Sequence, residues 1–527
     1  MRTLRCYVED RWREAASGFA LLVDPCSEEP VARASSQGID FARAVGHARR
    51  VGGPALRAAS FARRGELLQQ ASKLLQEQRD ELIALSVETT GTTRKDAKFD
   101  VDGAILTLAH YGDLGRSLGE RQFLLDGEGL QLGRSPRFWG QHVYLPRTGV
   151  AVHVNAFNFP AWGFAEKAAC ALLAGMPLIT KPATSTALVA ERAAAAVIEA
   201  GVLPAGALTL ICGGPGDLLD QLGPQDVLAF TGSAATALEL RRGRLLGSGC
   251  RVNVEADSLN AAVLGPDVGV EGETWSAFLR DVEREITQKS GQKCTAVRRI
   301  LVPAERLDDV ERELGARLET VVVGNPQDER VTMGPLATRA QLDDAVSGVE
   351  ALLAESRLAA GTGRRVDGAG NPSGKGFFLR PTLLRCADPA AADAVHRREV
   401  FGPVATLMAY DGSAAGAAEL VARAEGTLVT SLYSDDREFV TAYLAAGGAS
   451  TGRLYVGSQK VAPQLPGSGV ALPQLVHGGP GRAGGGEELG GLRGLALYLQ
   501  RLAVTGDRSL ISRVVGARGE ESTDPPS

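Results

Sequence analysis

The sequence predicts an α/β protein whose first half is built on a parallel, doubly wound sheet. Between residues 149 and 256, short β-rich runs alternate with longer Ala/Leu-rich runs, the rhythm of repeated βαβ units. The short runs are continuously apolar, as in Ala207-Leu208-Thr209-Leu210-Ile211-Cys212, which is what strands need when helices cover both faces of a sheet. At 527 residues and 44% hydrophobic, the chain exceeds what one core usually supports, so two or more domains are expected.

Taken in order, residues 57–120 carry helical periodicity, as in Arg64-Gly65-Glu66-Leu67-Leu68, and should pack on the first domain. A strand at 150–155 leads to a helix at 161–174, a strand at 177–181 to a helix at 185–200, and a strand at 207–212 to a helix at 215–222. The unit closes with a strand at 226–230, a helix at 234–246 and a strand at 251–255. A second α/β unit is expected from 257 to about 455, with strands near 299–302, 404–409 and 428–433. Residues 478–494 hold nine glycines, the composition of a flexible linker. The interleaved Glu487, Glu488 and Leu489, followed by Leu497-Tyr498-Leu499, predict instead an ordered loop that leads into a final strand.

The formal charge of −5, with signs mixed throughout, gives no field for holding nucleic acid or an acidic membrane. Seven scattered cysteines without a C-x-x-C pair suggest neither a disulfide framework nor a zinc cluster, and fit reduced thiols in the cytoplasm. The six histidines lack H-x-x-x-H or H-E-x-x-H spacing, so no metal site is predicted. Met1 to Ala15 mixes Arg, Asp and Glu where a signal peptide needs an apolar run, and no stretch of about 18 apolar residues follows. Neither export nor a membrane span is expected.

An open α/β sheet binds its ligand at the carboxyl ends of its strands, where Asn158, Lys181 and Gly232-Ser233 fall. Thr231-Gly232-Ser233 ends a strand and opens a helix, so its N–H groups and the helix dipole suit a pyrophosphate. Cys294 follows the small turn Gly291-Gln292-Lys293, and Glu255 stands at the end of a strand. A thiol and a distant carboxylate suggest a nucleophile and the base that activates water.

The blocks Asn155-Ala156-Phe157-Asn158-Phe159-Pro160, Lys181-Pro182-Ala183, Phe230-Thr231-Gly232-Ser233, Val254-Glu255-Ala256-Asp257, Gly291-Gln292-Lys293-Cys294 and Glu399-Val400-Phe401-Gly402-Pro403, in this order, resemble the NAD(P)-dependent aldehyde dehydrogenase superfamily over nearly the whole chain. The resemblance implies that family's fold: a parallel Rossmann-like cofactor domain (1–256, with part of an oligomerisation arm near 125–147), an α/β catalytic domain (257–455), and a return segment (456–527) carrying an active-site loop and the rest of a small β arm. It implies Cys294 as nucleophile, Asn158 as oxyanion donor, Glu255 as general base, and Lys167 with Glu488 as a proton relay, Glu487 being the neighbouring alternative to Glu488. Lys181 would reach the adenosine ribose, Thr184 would stand beside it, Gly232 and Ser233 would hold the pyrophosphate, and Glu399 and Phe401 the nicotinamide ribose and ring. A homo-oligomer, with a dimer favoured, is implied as well.

Departures from the family pattern are also legible. The usual E-L-G-G-K is replaced by Glu255-Ala256-Asp257-Ser258-Leu259, and a later helix glycine by Ala237 or Leu238. Lys181-Pro182-Ala183-Thr184-Ser185 offers hydroxyls where NAD-using relatives place a glutamate, so NADP is expected as cofactor, with NAD possible. Residues 472–492 resemble the branch that oxidises CoA-linked semialdehydes in aerobic benzoyl-CoA and phenylacetate degradation, implying a CoA-linked aldehyde as substrate. A CoA-acylating enzyme would need no water-activating carboxylate, and Glu255 argues against one. Arg241, Arg242 and Arg244 read as a solvated basic helix face.

Overall fold

Two seven-stranded sheets organise the chain. The computed structural model describes residues 1–516 apart from Arg244, Leu465 and Pro466, so Arg244 of the basic cluster and the tail 517–527 of the return segment lie outside the described residues. In the first sheet Arg251–Glu255, Val227–Thr231, Ala151–Val154, Leu178–Lys181 and Leu208–Leu210 run parallel in that spatial order, and the hairpin Cys6–Val8 and Arg11–Arg13 adds two antiparallel strands at the far edge. Strand order reverses between Ala151–Val154 and Val227–Thr231, which opens the crevice where doubly wound sheets take their ligands.

Most expected elements are present, including the helices Phe61–Glu77, Arg79–Thr90 and Arg94–Leu118. The helix expected at 215–222 is only a 3₁₀ turn, Leu218–Gln221. Pro215-Gly216 and Gly223-Pro224 leave too few residues between them to offset the cost of nucleating an α-helix. The helix expected at 234–246 stops at Arg242, before Gly243.

Helix Pro160–Ala174 is buried almost along its whole length. Its N-terminal residue offers no side-chain cap, so Asp100 of helix Arg94–Leu118 supplies one, accepting from Trp162 N (2.8 Å) and Ala161 N (3.2 Å). This carboxylate fixes the turn carrying Asn158.

The second sheet runs Ser356–Ala360, Thr382–Cys386, Val404–Tyr410, Arg299–Pro303, Ala261–Leu264, Thr427–Tyr433 and Thr451–Gly457, all parallel except the first. Separate apolar clusters cover its two faces. A third, three-stranded antiparallel sheet joins Leu499–Asp507 to Phe138–Pro146 and Leu124–Gln131. Leu130, Phe138, Leu502 and Leu510 lie exposed on or next to it. Among the described residues no helix is long and apolar enough to cross a membrane.

The glycine-rich stretch is ordered, and its glycines are there for close approach. Val476–Gly478 pairs antiparallel with Glu487–Leu489, setting His477 opposite Glu488. A Cβ at Gly484 or Gly486 would lie 2.1 or 2.5 Å from the carbonyl oxygen of Val254, so only glycine lets the loop press against the strand that ends in Glu255.

Candidate active site

The turn before Cys294 is built from three consecutive left-handed residues, Lys289 (φ 53°), Ser290 (φ 56°) and Gly291 (φ 69°). Such backbone persists only where the surroundings over-determine it. Here the buried Arg298 does so, donating from Nη2 to Gly291 O (2.8 Å) and from Nη1 to Gly402 O (2.7 Å). Asn260 Nδ2 donates to Cys294 O (2.7 Å) and Ala296 O (2.9 Å), and Thr295 Oγ1 to Gly469 O (2.8 Å). The cysteine backbone is therefore fixed from both sides. Lys293 turns away from the site and pairs with Glu285 at 2.7 Å.

The segment after Glu255, which departs from the expected double-glycine pattern, is put to structural use. Asn260 Oδ1 accepts from Val429 N (2.9 Å), Ser258 Oγ accepts from Leu428 N (2.9 Å), and Arg482 Nε donates to Asp257 Oδ2 (3.1 Å). The loop is anchored to the second sheet and to the glycine-rich loop, and Glu255 stays at its strand end, opposite Thr231.

Glu255 and Cys294 come together with a residue that the sequence did not single out. His477 Nε2 lies 3.2 Å from Glu255 Oε1 and 3.7 Å from Cys294 Sγ. One donor atom from each of the three residues lies within 4.8 Å of the others. Burial by itself would raise the Glu255 carboxyl, but the facing His477, helped by Lys167, overcomes it and holds the group down at about 2. Burial would likewise lower His477, and Glu255 raises it above the ordinary imidazole value. Cys294 is pushed well up, by burial and then by the Glu255 charge.

Asn158, Glu255 and Cys294 line two cavities that meet at the thiol. One, narrow at about 50 Å³, is walled by Phe99, Phe159 and Trp162. The other, of about 680 Å³, is lined by Lys181, Gly232, Ser233, Glu399 and Phe401 and follows the crevice of the first sheet. The arrangement sets the Cys294 thiol at the neck between an apolar passage and a cleft large enough for a dinucleotide.

In the larger cleft, Ser233 caps helix Ala234–Arg242 by accepting from Thr236 N (3.3 Å). The Gly232 N–H, expected to face a pyrophosphate, is instead bonded to Glu255 O at 3.1 Å, so an anion would meet the first turn of the helix after Ser233. Lys181 is buried and its pKa is lowered by that burial. Thr184 is partly exposed at the start of a 3₁₀ turn, Thr184–Thr186. Phe401 packs edge-on against Phe157 at 5.8 Å, with the Arg298 guanidinium 5.4 Å from its ring. Glu399 Oε1, Asn155 Oδ1 and Thr231 Oγ1, all on residues lining the cleft, are buried without a hydrogen bond. Polar atoms in that state call for a partner, and a hydroxyl-rich ligand such as a dinucleotide supplies donors.

Lys167 Nζ sits 3.0 Å from Glu488 Oε2, an ionic contact rather than an aligned hydrogen bond, and 3.1 Å from Glu166 Oε1. Glu488 also accepts from Asn253 Nδ2 at 3.3 Å. Glu487 is exposed, so Glu488 is the acid that faces Lys167. Burial, offset in part by Lys167, pushes Glu488 up to about 7.

Sequence reasoning missed His477, Asn260, Arg298 and the Asp257–Arg482 pair. His477 stood in the run Val476-His477-Gly478-Gly479, a lone imidazole before a glycine cluster, but nothing local ties it to Glu255 or Cys294.

Comparison with known proteins accords with this geometry. The chain is 42% identical over 475 residues, 90% of this chain and 92% of the relative, to 3,4-dehydroadipyl-CoA semialdehyde dehydrogenase of Aromatoleum evansii. It is 27% identical to betaine aldehyde dehydrogenase of Sinorhizobium fredii, covering 92% of this chain and 93% of the relative. Its fold matches a crystal structure of betaine aldehyde dehydrogenase from Staphylococcus aureus in complex with NAD+, with a TM-score of 0.84, 23% identity, and coverage of 96% of this chain and 95% of the other. The model of the aldehyde dehydrogenase family matches residues 12–501, and with a semialdehyde dehydrogenase so similar over nine-tenths of its length, the chain belongs to the aldehyde dehydrogenase family.

Proposed function

We propose that this protein oxidises a CoA-linked semialdehyde, 3,4-dehydroadipyl-CoA semialdehyde, to the carboxylic acid, with NADP as oxidant. The observation that carries the substrate is the 42% identity, over 90% of the chain, to the Aromatoleum evansii semialdehyde dehydrogenase. The site chemistry supports hydrolytic release. Cys294 attacks the aldehyde carbon, and Asn158 donates its amide to the oxyanion that forms. Bound in the larger cleft, NADP would supply the hydride acceptor, and loss of the hydride from the adduct would leave a thioester on Cys294. Glu255 takes a proton from the attacking water, and Lys167 with Glu488 passes it outward.

Lys181, Thr184, Ser233, Glu399 and Phe401 hold the cofactor in this reading, and Gly232 lines the cleft beside it with its N–H already bonded to Glu255 O. No carboxylate follows Lys181-Pro182 to repel a 2′-phosphate, which favours NADP. Residues 1–256 serve as cofactor domain and 257–455 as catalytic domain. The apolar side chains exposed on and beside the three-stranded sheet support a homodimer formed through that arm. The enzyme works in the cytoplasm, and CoA acts as a handle whose remote contacts position the short aldehyde tail.

The test compares a CoA-linked semialdehyde with a free aldehyde of equal tail length, with and without added CoA, following reduced cofactor and product mass. The expected result is a much higher kcat/KM for the CoA-linked aldehyde and a CoA-linked carboxylate with no second CoA consumed. Incorporation of added CoA at the aldehyde carbon would refute it. Cys294→Ala should be inactive, and Glu255→Gln should give at most one burst of reduced cofactor per site and then stall with the acyl group on Cys294.

A further inference from the structure

We infer that His477 is a further catalytic residue of this centre: as an imidazolium, it shares its Nε2–H between the Glu255 carboxylate and the Cys294 sulfur and stabilises the thiolate that attacks. The inference rests on the Cys294 mechanism proposed above and adds to it the positive charge that mechanism lacks.

The geometry is the first support. Nε2 reaches Glu255 Oε1 at 3.2 Å and Cys294 Sγ at 3.7 Å, both within reach of one N–H, while His477 itself is buried. Its place is set by the hairpin that pairs it with Glu488, and the adjoining loop is tied to the Glu255 strand by the bond from Gly486 N to Val254 O (3.2 Å).

Charge is the second support. Ionising the half-buried Cys294 thiol beside a buried carboxylate puts two negative charges in one poorly solvated space, which is costly without a facing cation. The other cations nearby are committed elsewhere. Lys167 pairs with Glu166 and Glu488, Arg453 donates to Ser468 O (2.8 Å) and to Val470 O, and Arg298 clamps Gly291 and Gly402. Among the described residues, His477 is the basic side chain that touches both sulfur and carboxylate. The groups acting on it are Glu255 from its strand, Cys294 from the turn, Glu166 from helix Pro160–Ala174 and Arg453 from strand Thr451–Gly457, with Glu488 opposite it on its own hairpin. Two other buried histidines move the opposite way: burial and then Lys167 lower His153 to about 3, and burial with Arg299 and Arg423 lowers His396 to about 4, whereas Glu255 raises His477.

In the attack, the Sγ–H bond breaks and its proton leaves to solvent, because the imidazolium keeps Glu255 a carboxylate and Cys294 is only partly buried. The sulfur pair forms the C–S bond, and the carbonyl π pair moves onto oxygen. The imidazolium keeps its proton throughout. Once sulfur is bound to carbon it carries no charge, and Nε2–H returns wholly to Glu255. Glu255 stays a carboxylate through the attack and is ready to accept the proton from water.

The test is the rate at which iodoacetamide alkylates Cys294, located by peptide mass spectrometry, from pH 5 to 10, in the enzyme and in His477→Ala and His477→Gln. No aldehyde or cofactor is present, so the rates do not depend on the proposed substrate. Glutamine keeps an N–H donor and comparable bulk without the charge, and thermal melting verifies that both variants fold. At pH 7 both variants should react about tenfold more slowly or worse, equivalent to one unit of thiol pKa. The wild-type profile should also carry an inflection above the ordinary imidazole range that both variants lack. A fall of less than threefold with superimposable profiles would overturn the inference. Retained turnover in Cys294→Ala would instead overturn the proposed function.

Discussion

Replacing Gly291 with alanine tests whether the turn before Cys294 is clamped to the segment that carries Glu399 and Phe401. The new Cβ would lie 2.2 Å from Gly402 O, 2.4 Å from Gly402 C and 2.6 Å from Pro403 N, all of it backbone. Restoring ordinary contact needs a displacement of about 1 Å between the two segments. Arg298 resists this, because it holds the carbonyls of both Gly291 and Gly402. Overpacking of this kind costs about 1–3 kcal/mol, and a left-handed φ of 69° adds about 1–2 kcal/mol for a residue with a Cβ. Stability should therefore fall by about 2–5 kcal/mol, read from denaturant unfolding. Cys294 lies three residues on, and a misplacement of about 1 Å at a reacting group costs roughly a hundredfold in rate. Steady-state kcat and the pre-steady-state burst should both fall by that order, and cofactor affinity should weaken because Phe401 shares the displaced segment. An unfolding free energy within 0.5 kcal/mol of the parent, together with kcat within about twofold, would refute the clamp, since neither the clash nor the strain could then be present.

Three further outcomes follow from other parts of the molecule. The Glu488 carboxyl, pushed up to about 7 by burial against the pull of Lys167, contributes stability that is full below its ordinary value of 4.5 and lost as pH rises through 7, so the melting temperature of the parent should decline relative to Glu488→Gln between pH 4.5 and 7. A difference between the two proteins that stays constant with pH would contradict this. Thr184→Glu should lower the NADP-to-NAD ratio of kcat/KM roughly ten- to hundredfold, the value of about 1.5–3 kcal/mol for one contact to a charged group; an unchanged ratio would place the 2′-phosphate elsewhere. Leu502→Asp, on the exposed edge strand Leu499–Asp507, should shift the protein to a smaller species by light scattering, and an unchanged mass would remove the arm from the interface.

By itself the sequence determined the first sheet and the order of its motifs. Val227–Thr231 was legible because a parallel strand covered on both faces must be nearly continuously apolar, and such a run marks itself. Cys294, Glu255 and Asn158 were legible as site candidates because each sits in a short block that resembles a family motif, and the fold brings all three to the same cavities. The tertiary structure alone decided what those residues touch. His477 meets Glu255 across 222 positions and Cys294 across 183, and no periodicity or local spacing encodes a contact of that span. Arg298 and Asn260 read as ordinary polar residues until the second sheet folds and brings Gly402 and the Cys294 carbonyl within their reach. The glycines at 484 and 486 look like flexibility in one dimension, whereas in three they are the gap through which the Val254 carbonyl passes. Local pattern follows from the period of strand and helix, while the active centre follows from packing between segments distant in sequence.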